Sequence, residues 1–354
     1  MKNGKFGVGI IGCGVIATAH APAIQGENEA ELVAVCDIDE PKGRAFAEKY
    51  GCNKFYKDYN DMLKDPEVDI VCVCTPSGIH GECVIAAARA GRAILCEKPF
   101  EITRDKISRM IDEVDKAKVK CACVFQLRTH AAKIKVHDAI GSDILGRLTL
   151  ADAYLKDYRA RSYYKSAGWR GTWELDGGGA LMNQGVHGVD QLLWLSGLEV
   201  DSVFARAKHL VRDIPVEDTC VASIQFTNGA LGTIVGTTSC NPGVIRRWEL
   251  HGDNGTICMA GQNIIQWATA PIGSDEMAKE CKPEGATEAS GGANNDNKAI
   301  GLQGPAFLMN DLIQALKEDR DPYVVPREAR KAVDLILSIY ESERTGKDVK
   351  VPHY

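Results

Sequence analysis

Residues 6–17 read Phe6-Gly7-Val8-Gly9-Ile10-Ile11-Gly12-Cys13-Gly14-Val15-Ile16-Ala17, and this stretch decides the fold. A short apolar run ends in G-x-G-x-x-A, the pattern of a strand turning sharply into a helix. The first glycine allows the tight turn, the second lets a pyrophosphate approach the backbone, and the small third residue lets helix and strand pack closely. The helix start adds unpaired N–H groups and about half a positive charge, which suits a diphosphate. Lys2 and Lys5 before an apolar run resemble a secretory leader, but glycines at 7, 9, 12 and 14 make a poor hydrophobic helix.

Outward from this turn, the next strand, Glu31 to Cys36, ends at Asp37, the twentieth residue past Ala17. An acid there can accept both ribose hydroxyls of an adenosine and repels a 2′-phosphate. At ~4 Å and an effective dielectric of about 20, that repulsion is about 4 kcal/mol per charge pair. NAD is therefore expected over NADP, although Arg44, a few residues on, keeps NADP open. Gly12, Gly14, Val15, Ile16 and Asp37 are the candidate cofactor contacts of this segment.

From Phe6 to Phe125 the runs FGVGII, ELVAVC, DIVCVC, RAILC and KCACVF alternate with helical stretches such as RAFAEKY and KISRMIDEVDKAK. That alternation predicts a doubly wound parallel sheet, so residues 1–125 are expected to form a dinucleotide-binding Rossmann domain. After residue 126 the texture changes to a helix near His130 to Ile140, a strand near Arg147 to Lys156, one strongly periodic helix and then mostly strands. DTCVASIQF and ALGTIVGTT flank Asn228-Gly229, a dipeptide suited to a two-residue hairpin turn, and WELHGDNGTICMA repeats the device. Residues 126–354 are expected to be an α+β domain with a large, mostly antiparallel open sheet. The apolar-poor stretch 273–297 is expected to be a loop, and helices return at Ala306–Glu318 and Arg327–Arg344.

Composition narrows the function. Lys plus Arg number 42 against 48 Asp plus Glu, a net charge of −6 that offers no excess of cations to a nucleic-acid backbone. No run approaches the ~18 apolar residues of a membrane span, so neither a nucleic-acid nor a membrane role is expected. Thirteen cysteines, an odd number without framework spacing, suit free thiols in a reducing cytoplasm.

Strand four runs into Thr75-Pro76-Ser77-Gly78-Ile79-His80 and strand five into Glu97-Lys98-Pro99. Ligands of open parallel sheets bind beyond the carboxyl ends of the strands, so Thr75, Pro76, His80, Glu97 and Lys98 are expected to border the cofactor. A lysine in a partly desolvated cleft can have its proton affinity tuned. In the second half, Asp176-Gly177-Gly178-Gly179 leads into Ala180-Leu181-Met182-Asn183-Gln184-Gly185-Val186-His187-Gly188-Val189-Asp190. A helix beginning after the glycines puts Asn183, His187 and Asp190 along one stripe. Asp190 is expected either to orient the imidazole or to cap or pair elsewhere.

Together these motifs resemble the glucose-fructose oxidoreductase, inositol dehydrogenase and MocA (Gfo/Idh/MocA) family over nearly the whole chain. The resemblance extends to the closing Ile339-Tyr340-Glu341-Ser342 and Thr345-Gly346-Lys347. It implies hydride transfer between a nicotinamide and a carbon of a sugar or cyclitol, and an open sheet that builds a dimer or tetramer. Asn183 stands where many members carry an aspartate; an amide orients a hydroxyl but cannot take its proton.

The expected chemistry is oxidation of a ring secondary alcohol of a sugar or glycoside, with C3 the expected position. His187 is the candidate base, Lys98 holds the reacting oxygen, and Asn183 positions a hydroxyl; no metal is expected. Tyr163, Trp169 and Arg170 lie in an aromatic and basic segment suited to the faces and hydroxyls of a pyranose, and Arg170 also suits a carboxylate. Inositol oxidation and keto-sugar reduction are the near alternatives. A non-catalytic NAD-sensing regulator is the distant one, since it could dispense with Lys98 and His187.

Overall fold

The computed structural model describes residues 4–271, 273–274, 276–281 and 303–354. The chain divides into two compact units, one within 1–126 and 297–330, the other within 127–296 and 331–354.

In the first unit the order is β1 (Phe6–Ile11), α1 (Ala17–Gln25), β2 (Ala30–Cys36), α2 (Glu40–Lys49), β3 (Phe55–Tyr56), α3 (Tyr59–Leu63), β4 (Ile70–Val73), α4 (His80–Arg89), β5 (Ala93–Cys96), α5 (Arg104–Ala117) and β6 (Cys121–Cys123). The strands form one parallel sheet, ordered β3-β2-β1-β4-β5-β6. Val8, Ile10, Ile70, Val71, Val73, Ile94 and Leu95 are fully buried, as strands covered on both faces require. Helix starts are set locally: the Thr103 hydroxyl caps α5 on the Lys106 N–H, and Ile107, Met110, Ile111 and Val114 form its buried stripe. The strand order reverses between β1 and β4, so the turns after those two strands flank the crevice in which a ligand of this sheet binds.

The second unit holds α6 (Ala131–Gly141), β7 (Leu148–Lys156), α7 (Arg161–Lys165), α8 (Val186–Ser196), β8 (Val200–Lys208), β9 (Thr219–Phe226), β10 (Leu231–Thr237), β11 (Arg247–Gly252), β12 (Gly255–Ala260), β13 (Asn263–Thr269) and β14 (Lys279–Glu280). The order of its sheet is β14-β13-β12-β11-β7-β10-β9-β8-β15, where β15 is Val349–Lys350. Neighbours are antiparallel except β10 and β7, which run parallel. The β9–β10 hairpin turns at Asn228-Gly229, with Gly229 at φ +87°. Along β9 buried Cys220, Ala222, Ile224 and Phe226 alternate with the exposed Val221, Ser223 and Gln225, so one face of the sheet is packed and the other is open.

Two helices close the chain, α9 (Gln303–Glu318) and α10 (Pro326–Thr345). Here the expected division into 1–125 and 126–354 differs from the observed one, because α9 belongs to the first unit. Its buried stripe of Leu308, Met309, Leu312 and Ile313 is apolar, and its polar edge is tied to the loop after α1. Asn310 donates to Glu27 at 3.0 Å, and Gln314 and Lys317 donate to Glu29 at 2.7 and 2.6 Å. Sequence periodicity locates such a helix but does not say which core its stripe enters. All thirteen cysteines are free thiols. Among the described residues no helix is long and apolar enough to cross a membrane, and residues 275 and 282–297 of the expected loop lie outside those described.

Candidate functional site

In the first unit the turn after β1 has the form its glycines imply. Gly12 sits at φ +92°, and a Cβ there would lie 2.8 Å from the Cys74 carbonyl oxygen, so only glycine fits beside β4. Gly14 has nothing within 4 Å of where its Cβ would be, which leaves room for a phosphate against the backbone. Val15 and Ile38 are 55% and 84% exposed, apolar cover beside the turn and beside Asp37, and Ile16 leads directly into α1. The Asp37 carboxylate accepts from Cys13 N–H at 2.8 Å, from Asp39 N–H at 2.9 Å and from Lys42 Nζ at 2.9 Å. Arg44, the residue that kept NADP open, instead pairs with Glu40 and lies 4.9 Å over the Phe55 ring. The cation beside Asp37 is therefore Lys42, which sequence reading passed over; a lysine five residues on points to no partner until the helix is built. Open space at Gly14, exposed apolar cover and an oriented carboxylate fit an adenosine diphosphate.

The turns after β4 and β5 are joined through His80. Its ring nitrogens face the Pro99 carbonyl at 2.9 Å and the Thr75 carbonyl at 3.0 Å, and the side chain is buried. Burial holds this imidazole below its ordinary pKa despite the two carbonyls. His80 thus holds Thr75-Pro76 against Lys98-Pro99, whose peptide bond is cis, and its nitrogens are committed to protein rather than to a ligand. Glu97 is likewise committed. It is buried, takes the Lys98 N–H at 3.1 Å and meets His20 Nε2 at 2.8 Å. Burial opposes charge on His20, but the Cys74 and Cys72 thiols and Glu97 outweigh it and hold its proton well above the ordinary range. His20 was missed in the sequence, although a histidine within the small-residue helix ATAHAPAIQ was the available clue. Lys98 is half-buried at the end of this turn.

In the second unit the glycines after Asp176 serve packing rather than anion binding. Gly178 lies at φ +153°, where a Cβ would meet the Tyr340 hydroxyl at 2.2 Å, and a Cβ on Gly179 would meet the Glu217 carbonyl oxygen at 1.8 Å. Residues Ala180–Gly185 form a wide π-type turn, and the regular helix starts only at Val186. Asn183 therefore lies in the wide turn, and His187 and Asp190 lie in the regular helix that follows it. Asn183 and His187 are both half-buried, whereas Asp190 is buried and pairs with Arg128, Nε to Oδ2 at 3.0 Å and Nη2 to Oδ1 at 2.6 Å. Burial raises the Asp190 pKa while Arg128 opposes the rise. Of the readings left open for Asp190, it takes the pairing one.

Around Asn183 the structure gathers a polar network. Asn183 Nδ2 donates to Asp176 Oδ1 at 2.5 Å, and Gln184 Nε2 donates both to Asn183 Oδ1 at 3.0 Å and to the Tyr163 hydroxyl at 2.7 Å. Arg170 donates to the same hydroxyl at 2.5 Å and its guanidinium lies 4.7 Å from the Trp169 ring centroid. Arg159 donates to Gln184 Oε1 at 2.7 Å, and Arg246 donates to the Gln184 carbonyl at 2.9 Å. Tyr163, Trp169, Arg170 and Asn183 are thus one cluster, and Asp176, Gln184, Arg159 and Arg246 are members that the sequence did not single out. Burial raises the Tyr163 hydroxyl above its ordinary pKa, so it stays protonated and can donate. Beneath α8, Trp248 donates to the Gly188 carbonyl at 2.9 Å, and the Lys133 ammonium lies 4.0 Å from the Trp248 ring. Burial lowers Lys133 to about 7.

On the open face of the sheet Glu249, His251 and Cys258 lie within 4.8 Å of one another. Arg247 holds Glu249 at 2.6 Å, Thr256 engages His251 at 3.0 Å, and burial pushes the Cys258 thiol up to about 11. An engaged carboxylate and a protonated thiol make a polar network rather than a prepared metal site.

Residues 6–125 match the family of oxidoreductases with an NAD-binding Rossmann fold, and residues 134–258 match the Gfo/Idh/MocA C-terminal domain. The chain is 31% identical over 256 residues to a myo-inositol 2-dehydrogenase of Thermotoga maritima, covering 71% of this chain and 74% of that one. It is 30% identical over 250 residues to a D-glucoside 3-dehydrogenase of Escherichia coli, covering 65% and 70%. Among solved structures, the WlbA dehydrogenase of Bordetella pertussis, in complex with NADH and UDP-GlcNAcA, superposes with a TM-score of 0.86 at 32% identity over 99% of this chain and all of that one. With two matched domains and a turn shaped for a dinucleotide, the chain belongs to the Gfo/Idh/MocA oxidoreductases and is a nicotinamide-dependent dehydrogenase acting on a CH–OH group.

Proposed function

We propose that the enzyme oxidises a ring secondary alcohol of a sugar or glycoside, at C3, with NAD as acceptor. The observation that carries this reading is the network of Asn183, Gln184, Tyr163 and Arg170 on the chain leading to His187. Fixed amides, a phenol and aromatic rings beside a guanidinium suit the hydroxyls and faces of a pyranose. The glucoside 3-dehydrogenase among the relatives supports the position of attack.

When bound at the Gly12–Gly14 turn and Asp37, NAD would supply the acceptor for a hydride from the carbinol carbon. As the carbon becomes a carbonyl its hydroxyl must give up a proton, and the His187 imidazole takes it. The Lys98 ammonium holds the same oxygen as negative charge develops on it. Asn183, its amide oriented by Asp176 on one side and Gln184 on the other, directs a neighbouring hydroxyl. The reading requires Lys98 and His187 to meet at one nicotinamide. Asp37 selects NAD by accepting ribose hydroxyls.

A second reading, a sugar nucleotide carrying a carboxylate, is favoured by Arg159 and Arg170 on the same network and by the ligand of the WlbA structure. A cyclitol substrate and the reverse, reductive direction use the same groups. The deciding experiment incubates the enzyme and NAD with a panel of glucosides, myo-inositol and a UDP-linked uronic acid, follows reduced nicotinamide by absorbance and locates the new carbonyl by NMR. The expected outcome is a 3-keto product from a glucoside. His187→Ala is expected to lower turnover at least ~100-fold while NADH still binds; turnover near that of the wild type would remove His187 as the base.

A further inference from the structure

One residue outside the cluster holds the start of the segment that carries Asn183 and His187. Three successive amides converge on Glu217. Gly179 N–H donates to Oε2 at 2.8 Å, Ala180 N–H to the Glu217 carbonyl oxygen at 2.9 Å, and Leu181 N–H to Oε1 at 2.8 Å. The Tyr340 hydroxyl completes the carboxylate, donating to Oε1 at 2.9 Å, and Glu217 itself is 4% exposed. The two glycines that tolerate no side chain, Gly178 and Gly179, are those pressed against Tyr340 and Glu217. From this clamp the path to the chemistry is short. The Asn183 N–H donates to the Gly179 carbonyl at 3.1 Å, and His187 follows four residues on. A buried carboxylate is costly unless its lone pairs are matched, and here its donors come from the turn and from α10.

We propose that Glu217 is a positioning residue of the reaction: by taking the amide protons of Gly179, Ala180 and Leu181 it sets the wide turn from which Asn183 and His187 are presented to the substrate. This rests on the reading of His187 as base. Glu217 touches neither substrate nor cofactor, and its contribution is geometric. A displacement of about 1 Å in a reacting group costs up to about a hundredfold in rate, whereas cofactor affinity, governed by the first unit, is indifferent to it.

The test uses the full chain. E217Q replaces one acceptor oxygen by an NH₂ that confronts an N–H of the turn. The expected result is a tenfold to hundredfold fall in kcat, KM within about threefold, NADH affinity unchanged and a single thermal transition. Turnover equal to the wild type, or turnover and NADH binding falling together in proportion to unfolded protein, overturns the proposal. Amide hydrogen exchange on the wild-type protein serves where E217Q does not fold. The N–H groups of residues 179–181 are expected to exchange as slowly as those of β9, and exchange at loop rates overturns the proposal equally. H187A, assayed in parallel, separates the two readings. Full turnover in H187A removes the base assignment, whereas a dead H187A beside an unimpaired E217Q removes only Glu217.

Discussion

At the scale of single residues, Asp37 and Glu217 show how placement gives a carboxylate its task. Asp37 has three donors yet keeps acceptor capacity for a ribose, and the exposed Lys42 ammonium beside it is a cation already in place for a phosphate. Asp37→Ala is therefore expected to raise the NADP-to-NAD ratio of kcat/KM by at least about tenfold, and D37A/K42A to lose most of that gain; an unchanged ratio in D37A would mean that another residue reads the ribose. Glu217 is the opposite case. Burial raises its carboxyl to about 7, against the pull of the Leu181 and Gly179 amides and Tyr340, and Tyr340 and Cys220 are the titratable groups that face it. A pKa raised on folding means that the folded protein binds the proton more tightly, so this group's contribution to stability falls as pH rises from about 4.5 to about 7. The full difference is on the order of 3 kcal/mol. Chemical denaturation across that range is expected to show a flatter pH dependence for E217Q than for the wild type, and parallel curves would contradict the assignment.

At the scale of elements, the glycines of the β1–α1 turn divide the work between fold and ligand. Gly14→Ala is expected to leave the melting temperature within about 2 °C and to weaken NADH at least about tenfold, because its Cβ enters empty space that a phosphate would occupy. Gly12→Ala is expected to lower the melting temperature as well, since its Cβ strikes the Cys74 carbonyl at a positive φ. Loss of stability in G14A, or unchanged NADH affinity, would contradict this division. These glycines were legible in the sequence because the strand, the turn and the helix that define their roles are contiguous. The β9–β10 hairpin at Asn228-Gly229 was legible for the same reason. The wide turn 180–185 was not. Its geometry depends on Glu217 and Tyr340, which are distant in the chain, and the local glycines are equally consistent with a helix starting early. The commitment of His80 to two carbonyls and of Glu97 to His20 was hidden likewise, since each partner arrives from another strand end or helix.

At the scale of the whole molecule, the sheet of the second unit leaves one face open. Val221, Leu231 and Leu150 are 51%, 57% and 38% exposed on neighbouring strands. We propose that this face joins copies of the chain into a dimer or tetramer, as closed symmetry favours for enzymes. V221D/L231D is expected to reduce the mass seen by light scattering to that of one chain, and an unchanged mass would place the contact elsewhere. Both sheets followed from period-two and period-3.6 patterning, while the return of α9 to the first unit did not, because an amphipathic stripe fits any apolar surface.

The proposed roles of His187 and Lys98 are tested most directly by a crystal structure of the enzyme with NADH and a glucoside that it oxidises. The His187 imidazole and the Lys98 ammonium are both expected within about 3 Å of one ring hydroxyl, its carbon facing nicotinamide C4. A complex in which either group lies beyond reach of that oxygen contradicts the assignment of both residues to the reaction.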